Sequence, residues 1–290
     1  MISVNGYPIV YANYPAGETN LVFNSQVMSS LQKAKLNKEE DVVVRWNYHS
    51  DYEYIIVAFI AQKLDDMGFG CRKILELPYL PHARMDRTEE NYQFYGSKYF
   101  LTMIDALGFR NVFVKNIHSD KVIEELNMSR ITNEKTIGDL TRSFLRNVLK
   151  GDDKYVIVYP DKGAYERFYT QLDPITDRVI ICDKERDFAT GKIKGITFSA
   201  SDSLPENTED YNLVIVDDIC SYGGTFNLVL NEIAKYHKFK GAYLVVSHLE
   251  ESVFKGELIK NPLLKGIYHE NTMDWSIHEP NYIEVKNERN

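Results

Sequence analysis

The chain has 290 residues, 44% of them apolar, and 34 basic against 42 acidic side chains give a net charge of −8. This is enough chain for two domains with sizeable cores, and too apolar for a disordered protein. The acidic balance argues against a nucleic-acid-binding surface, which needs a basic face, and no run reaches the roughly 18 apolar residues of a membrane span.

Met1 to Tyr11 lacks the basic and then apolar regions of a secretory signal. Cys71, Cys182 and Cys220 show no metal or disulfide spacing. They fit a reducing cytoplasm, so a cytoplasmic protein is expected.

In chain order, Tyr14 to Asn20 reads as a turn before an extended segment, Leu21 to Phe23. Val42 to Trp46 is a predicted strand, and Glu53 to Met67 a helix with Ile56, Phe59, Ile60 and Leu64 on one face. Gly68 and Gly70 end that helix, and Arg72 to Leu77 is the next strand, which makes a parallel crossover unit. The loop after it, Pro78-Tyr79-Leu80-Pro81-His82-Ala83-Arg84-Met85-Asp86-Arg87, is stiffened by two prolines and carries two arginines three apart. Arginine binds phosphate with a bidentate fork, although such a pair alone also fits a solvated loop. A helix from Lys98 to Leu107 leads to the strand Asn111 to Lys115, closed by Asn116-Ile117-His118-Ser119.

Met128 to Leu140 is polar, and the domain boundary is placed there, dividing residues 1–140 from 141–290. Tyr155 to Tyr159 is a strand, Pro160 to Ala164 its terminal loop, and Ala164 to Leu172 a helix. Arg178 to Cys182 is a further strand, followed by the charge run Asp183-Lys184-Glu185-Arg186-Asp187 and a loop with Thr190 and Gly191. Leu213 to Val216 is an apolar strand buried on both faces. Asp217 and Asp218 stand at its end, and Ser221-Tyr222-Gly223-Gly224-Thr225 forms a small-residue turn. Phe226, Val229, Leu230 and Ile233 then mark one helix face. At the carboxyl end of a parallel strand this arrangement places a ligand site. The glycines let amides turn inward and, with the helix N-terminus, cradle a phosphate. The aspartates suit sugar hydroxyls or a Mg²⁺ held between carboxylate and phosphate. Gly241 to Ser247 is the last predicted strand, ending at His248, and Trp275 to Asn290 is read as an edge strand or a tail.

The string Asp217-Asp218 with Ser-Tyr-Gly-Gly-Thr resembles the phosphoribosyl-binding fingerprint of phosphoribosyltransferases and ribose-phosphate pyrophosphokinases. The Pro78 to Arg87 loop is similar to the ATP-holding loop of the pyrophosphokinases alone. Asn116 to His118 resembles that family's Asp-Leu-His. Pro160-Asp161-Lys162-Gly163-Ala164 with Arg167 resembles its Pro-Asp-x-Gly string, and Lys184 and Arg186 its Lys-x-Arg on a mobile loop. The resemblance covers nearly the whole chain. It implies an α/β protein of two phosphoribosyltransferase-like domains, each a mainly parallel sheet flanked by helices and related by a pseudo-two-fold. The N-terminal domain would carry the ATP loop, and the C-terminal domain the ribose-phosphate and catalytic loops.

The activity implied is transfer of the β,γ-diphosphate of Mg·ATP to the anomeric hydroxyl of ribose 5-phosphate, giving phosphoribosyl pyrophosphate and AMP. By the resemblance, Glu18, Arg84, Asp86, Arg87 and His118 bind ATP, with Glu18 serving a neighbouring subunit. His118 and Asp161 hold Mg²⁺. Asp161, Asp217, Asp218, Ser221, Tyr222, Gly223, Gly224 and Thr225 bind the ribose phosphate, and Lys184 and Arg186 are catalytic. A homo-oligomer, dimer or hexamer, is implied, with neither nucleic acid nor membrane as partner.

The sequence departs from the family at Asn116, which removes a carboxylate, at Met85, in the early loop, and at Tyr222, an aromatic inside the phosphate cradle. Tyr222 keeps open a larger 5-phosphoribosyl acceptor such as ADP-ribose. A phosphoribosyltransferase would share only the Asp217 to Thr225 string, and a non-catalytic family regulator could dispense with Lys184 and Arg186.

Overall fold

A computed structural model of the chain describes residues 1–85, 94–186, 193–272 and 281–284. They form two compact units, Met1–Glu134 and Lys135–Asn290.

The first unit opens with β1 (Ile2–Val4) and β2 (Tyr7–Pro8), then a hairpin of β3 (Val10–Asn13) and β4 (Thr19–Val22). Then come α1 (Ser25–Leu36), β5 (Val42–Trp46), α2 (Glu53–Asp66), β6 (Lys73–Leu77), α3 (Gly96–Asp105), β7 (Asn111–Lys115), α4 (Lys121–Leu126) and β8 (Ile131–Glu134). The sheet order is β2-β1-β5-β6-β7-β8, parallel from β5 to β8 and antiparallel at β1. Burial alternates strictly along β5, β6 and β7, so one face packs on the core and the other is half-buried. On β5 the alternation puts Val42, Val44 and Trp46 inward and Arg45 outward.

On α2 the inward residues are Ile56, Val57, Ile60, Ala61 and Leu64. Phe59, expected among them, is half exposed. At 100° per residue it lies well off the centre of that face. Gly68, with φ +85°, ends the helix in the left-handed conformation. Arg72 closes α1 from outside: its Nη1 donates to the carbonyls of Ala34, Asn37 and Glu40, which satisfies acceptors at the helix end.

The second unit runs α5 (Ile137–Asn147), β9 (Tyr155–Tyr159), α6 (Lys162–Leu172), β10 (Val179–Arg186), β11 (Ile193–Ala200), β12 (Asn212–Cys220), α7 (Gly224–Ile233), β13 (Gly241–Leu249), β14 (Leu264–Thr272) and β15 (Asn281–Glu284). Its sheet order is β11-β10-β9-β12-β13-β14-β15, parallel through the five central strands with antiparallel strands at both edges. Separate apolar clusters cover the two faces. One contains Phe226, Val229, Leu230 and Ile233 of α7; the other contains Phe144 of α5 and Phe168 of α6. Every residue of β9 is buried, and the central run of β12 is buried on both faces. This is the burial expected of a doubly covered parallel sheet.

Met128 to Leu140, where the domain boundary is expected, holds β8 and the start of α5, and three other expectations are corrected. β8 is an edge strand of mixed burial, so its outward residues are polar. The strand expected over Leu213–Val216 continues to Cys220, because β13 pairs with it as far as Leu249. Lys184 and Arg186 lie on strand β10 instead of a loop, since β11 pairs antiparallel with that stretch. Gly241–Leu249 is not the last strand: β14 and β15 follow, and the polar second half of β14, His269-Glu270-Asn271-Thr272, hides it from a hydrophobic pattern.

Candidate active site

The second unit gathers charge at the carboxyl ends of β9, β10 and β12. Asp161 follows β9 and caps α6: its Oδ1 accepts the Ala164 amide at 2.7 Å. Its Oδ2 meets the Lys184 ammonium, from the neighbouring strand, at 2.6 Å. Burial works to raise the Asp161 carboxyl, but the Lys184 ammonium, the Ala164 amide and Arg167 outweigh it and hold it below the usual carboxylate range. On the same strand as Lys184, burial pushes the Cys182 thiol up to about 12, which leaves it inert as a nucleophile.

Arg167 projects from α6, and its Nη2 donates to Asp217 Oδ1 at 3.0 Å and to Asp218 Oδ1 at 3.2 Å. The Asp218 amide also donates to Asp217 Oδ1, at 2.9 Å. Both aspartates are buried inside β12, before the turn. Burial and the adjacent Asp218 push the Asp217 carboxyl well above its ordinary range, and Arg167 opposes them. The Arg167 Nε is buried without a hydrogen bond among the described residues, and the guanidinium lies 5.2 Å from the Phe168 ring centre. Asp161, Asp217, Asp218, Lys184 and Arg167 are thus one assembly; the sequence gives Arg167 no role in it.

The turn after β12 is set by its backbone. Gly223 has φ +76° and caps α7. A Cβ there would lie 2.6 Å from the Leu258 side chain, so only glycine fits on both counts. The Asn227 amide makes the first helical bond, to the Gly223 carbonyl at 3.0 Å. The amides of Gly224, Thr225 and Phe226 precede it and have no acceptor within the helix, at the positive end of its dipole. Tyr222 stands at the tip, 58% exposed.

Sequence reasoning missed the floor of this turn. The stretch after β13 contains two short 3₁₀ turns, Glu251–Lys255 and Leu258–Lys260. A Cβ on Gly256 would lie 1.9 Å from the Tyr222 carbonyl oxygen. Ser252 Oγ is 3.0 Å from Ser221 Oγ and donates to Glu250 Oε2 at 3.3 Å. The glycine in Phe254-Lys255-Gly256 is the one sequence signal of a close approach.

In the first unit the predicted loop leaves the carboxyl end of β6 and is held at both sides. His82, at φ +60°, places Nε2 2.9 Å from Asp51 Oδ1, which also accepts the Tyr48 hydroxyl at 2.8 Å. Farther along, the Met85 carbonyl accepts the Ser97 hydroxyl and amide at 3.0 and 3.2 Å. Arg84 lies exposed between these anchors. Asp86 and Arg87 fall outside the described residues. After β7, Asn116 adopts φ +43°, a conformation asparagine tolerates better than most residues. The Ile117 amide bonds Asn133 Oδ1 at 3.1 Å, and half-buried His118 follows. Glu18 is exposed on the β3–β4 turn, where its carbonyl accepts the Tyr14 amide at 2.8 Å.

Among the described residues no three His, Cys, Asp or Glu side chains are grouped to hold a metal. Mg²⁺ typically takes only one or two carboxylates and completes its shell with water and substrate phosphates. Asp161, a single part-exposed carboxylate, is of that donor type.

No protein-family model matches the chain. A curated ribose-phosphate pyrophosphokinase from Sulfurisphaera tokodaii is 26% identical over 288 residues, 98% of this chain and 90% of that protein. Over nearly its whole length the chain is similar to ribose-phosphate pyrophosphokinases. A second ribose-phosphate pyrophosphokinase, from Saccharolobus solfataricus, is 27% identical over 213 residues, covering 73% of this chain and 66% of that one. The crystal structure of phosphoribosylpyrophosphate synthetase from Mycobacterium smegmatis superposes with a TM-score of 0.64 at 14% identity, over 91% of this chain and 86% of that chain. The pyrophosphokinase fold is therefore retained where most residues have changed, and no helix among the described residues is long and apolar enough to cross a membrane.

Proposed function

We propose that this enzyme transfers the diphosphate of ATP to the anomeric hydroxyl of ribose 5-phosphate. The anomeric oxygen forms a bond to the β-phosphorus, the bridge to the α-phosphate breaks, and AMP leaves with that electron pair while the hydroxyl proton passes to solvent. The observation that carries the reading is the second unit's assembly: a buried aspartate pair, a lysine–aspartate pair and a glycine turn at one sheet edge.

In this reading the amides and hydroxyls of Ser221, Tyr222, Gly223, Gly224 and Thr225 hold the 5-phosphate, while Asp217 and Asp218 accept from ribose hydroxyls. Arg167 orients those two carboxylates and opposes the effect of burial on Asp217. Lys184 and Arg186 meet charge that develops on the moving group. At the ATP end, Arg84 with Arg87 binds phosphates. Asp86, with Glu18 from a neighbouring copy, positions the nucleotide. Asp161 and His118 would hold Mg²⁺, which when bound neutralises charge on the phosphates. A homo-oligomer in the cytoplasm, serving nucleotide synthesis, is part of the same proposal.

A second reading has one observation of its own. Tyr222 is exposed at the rim of the cradle, where an aromatic ring is available to a group attached beyond the 5-phosphate, as in ADP-ribose. Incubation with ATP, Mg²⁺ and either acceptor decides between them. AMP release with ribose 5-phosphate supports the first reading, release with ADP-ribose alone the second, and release with neither defeats both.

A further inference from the structure

We infer that Asp51, in the loop between β5 and α2, is a positioning residue for the proposed ATP site: through the His82 ring it fixes the turn that presents Arg84. This rests on the reading of Arg84 as a phosphate ligand and adds the device that aims it. The Met85 amide donates to the His82 carbonyl at 2.8 Å, which closes a tight turn with Ala83 and Arg84 at its centre. Ala83 is buried and Arg84 exposed, so the turn rests on the core by one central residue and offers the other outward. A bidentate guanidinium contact needs orientation as well as charge, so the frame beneath Arg84 matters.

The two ends of the turn are held by different means. Met85 is fixed to the start of α3: its carbonyl accepts the Ser97 hydroxyl at 3.0 Å, and a Cβ on Gly96 would lie 2.9 Å from its sulfur. His82 has φ +60°, a conformation that a residue with a side chain keeps only where its surroundings impose it. Two contacts do so. The His82 ring centre is 5.5 Å from that of buried Phe100, and Nε2 is 2.9 Å from Asp51 Oδ1. Burial works to raise the Asp51 carboxyl, but the Tyr48 hydroxyl and the His82 ring outweigh it and hold it below the usual carboxylate range. An ionised carboxylate only accepts, so the Nε2 hydrogen of His82 and the hydroxyl hydrogen of Tyr48 both point at Oδ1. Tyr48 stands on the same loop as Asp51; it orients the carboxylate, and the carboxylate orients the ring. The arrangement joins the loops that leave the neighbouring strands β5 and β6 at the carboxyl edge of the sheet, the edge where parallel sheets take ligands.

The test is steady-state AMP release by the full chain at saturating acceptor. Asp51→Ala, at a side chain 66% exposed, should raise the KM for ATP about tenfold, through loss of one hydrogen bond to a charged group. Its kcat should fall less than about threefold, because the contact acts on ATP binding. His82→Phe keeps a ring against Phe100 without the bond and should raise the KM equally. His82→Gln retains a donor and should stay within about threefold of wild type. Asp51→Ala and His82→Phe combined should raise the KM no more than either alone. An unchanged KM in Asp51→Ala, multiplied effects in the double variant, or a His82→Gln chain as impaired as His82→Phe would overturn the inference. If the wild type releases no AMP, the activity reading fails and the turn is read separately by trypsin, which cuts after arginine. Cleavage following Arg84 should then be about tenfold faster in Asp51→Ala and His82→Phe than in wild type and His82→Gln, and equal rates would refute it.

Discussion

Arg167 stands between two buried carboxylates, and much of the candidate site's integrity depends on its Nη2 contacts. Removing one partner of a buried ionic cluster leaves the other charges uncompensated, at a cost of about 3–5 kcal/mol. Arg167→Ala should therefore lower unfolding stability by about that much in urea titration and raise the acceptor KM. Adding Asp217→Asn should recover part of the stability and none of the binding. Lys184 is a different case, because its partner Asp161 is part exposed and is also held by the Ala164 amide. Lys184→Ala should cut turnover about a hundredfold or more, the loss of one well-aimed donor worth about 3–4 kcal/mol. ATP affinity, measured by calorimetry, should change little, and equal losses in both would remove the transition-state role.

Two elements determine how the turn is supported. Gly256 touches the Tyr222 carbonyl so closely that a methyl group there must displace backbone. Gly256→Ala should cost about 1–3 kcal/mol and raise the acceptor KM, and Leu258→Ala should return little of either, since the clash is with main chain. Strand β14 carries a second liability. His269 is fully buried, neither ring nitrogen has a hydrogen bond among the described residues, and burial lowers its pKa from 6.5 to about 4. Neutral imidazole is thus favoured in the fold. As pH falls below 6.5 the unfolded chain takes up the proton first, and stability drops until the folded group also titrates near 4. The shift corresponds to about 3 kcal/mol. Urea titrations between pH 7 and 4 should show a shallower decline for His269→Leu than for wild type, and parallel declines would show that the group does not contribute.

At the scale of the whole molecule, the β3–β4 hairpin stands out. A two-stranded hairpin is marginal alone, and this one pairs Val10 with Val22, both more than 60% exposed. It is tied down where Tyr52 bonds Thr19 and Asn13. Exposed apolar strands favour association between copies. Replacing both Val10 and Val22 with Asp should lower the mass of the proposed homo-oligomer in light scattering while leaving the thermal unfolding of the dissociated chain unchanged; an unchanged mass would separate the hairpin from assembly.

Most of the architecture was legible because it is local. The run Leu213–Val216, the face Phe226 to Ile233 on α7 and the strand Asn111–Lys115 declare their period within a few residues, since doubly buried strands and amphipathic helices leave repeating apolar patterns. The positions of Asp161 after β9 and of the glycine turn after β12 follow from those boundaries. Strands β8, β11 and β14 were hidden because edge strands and polar strand ends are stabilised by ladder partners far away in sequence. Arg167 reaching across to Asp217, Ser252 to Ser221 and Gly256 to Tyr222 join residues tens of positions apart, or separate strands and helices. No local pattern encodes such approaches: the chain's own sequence names the chemical groups, and only packing decides which of them meet.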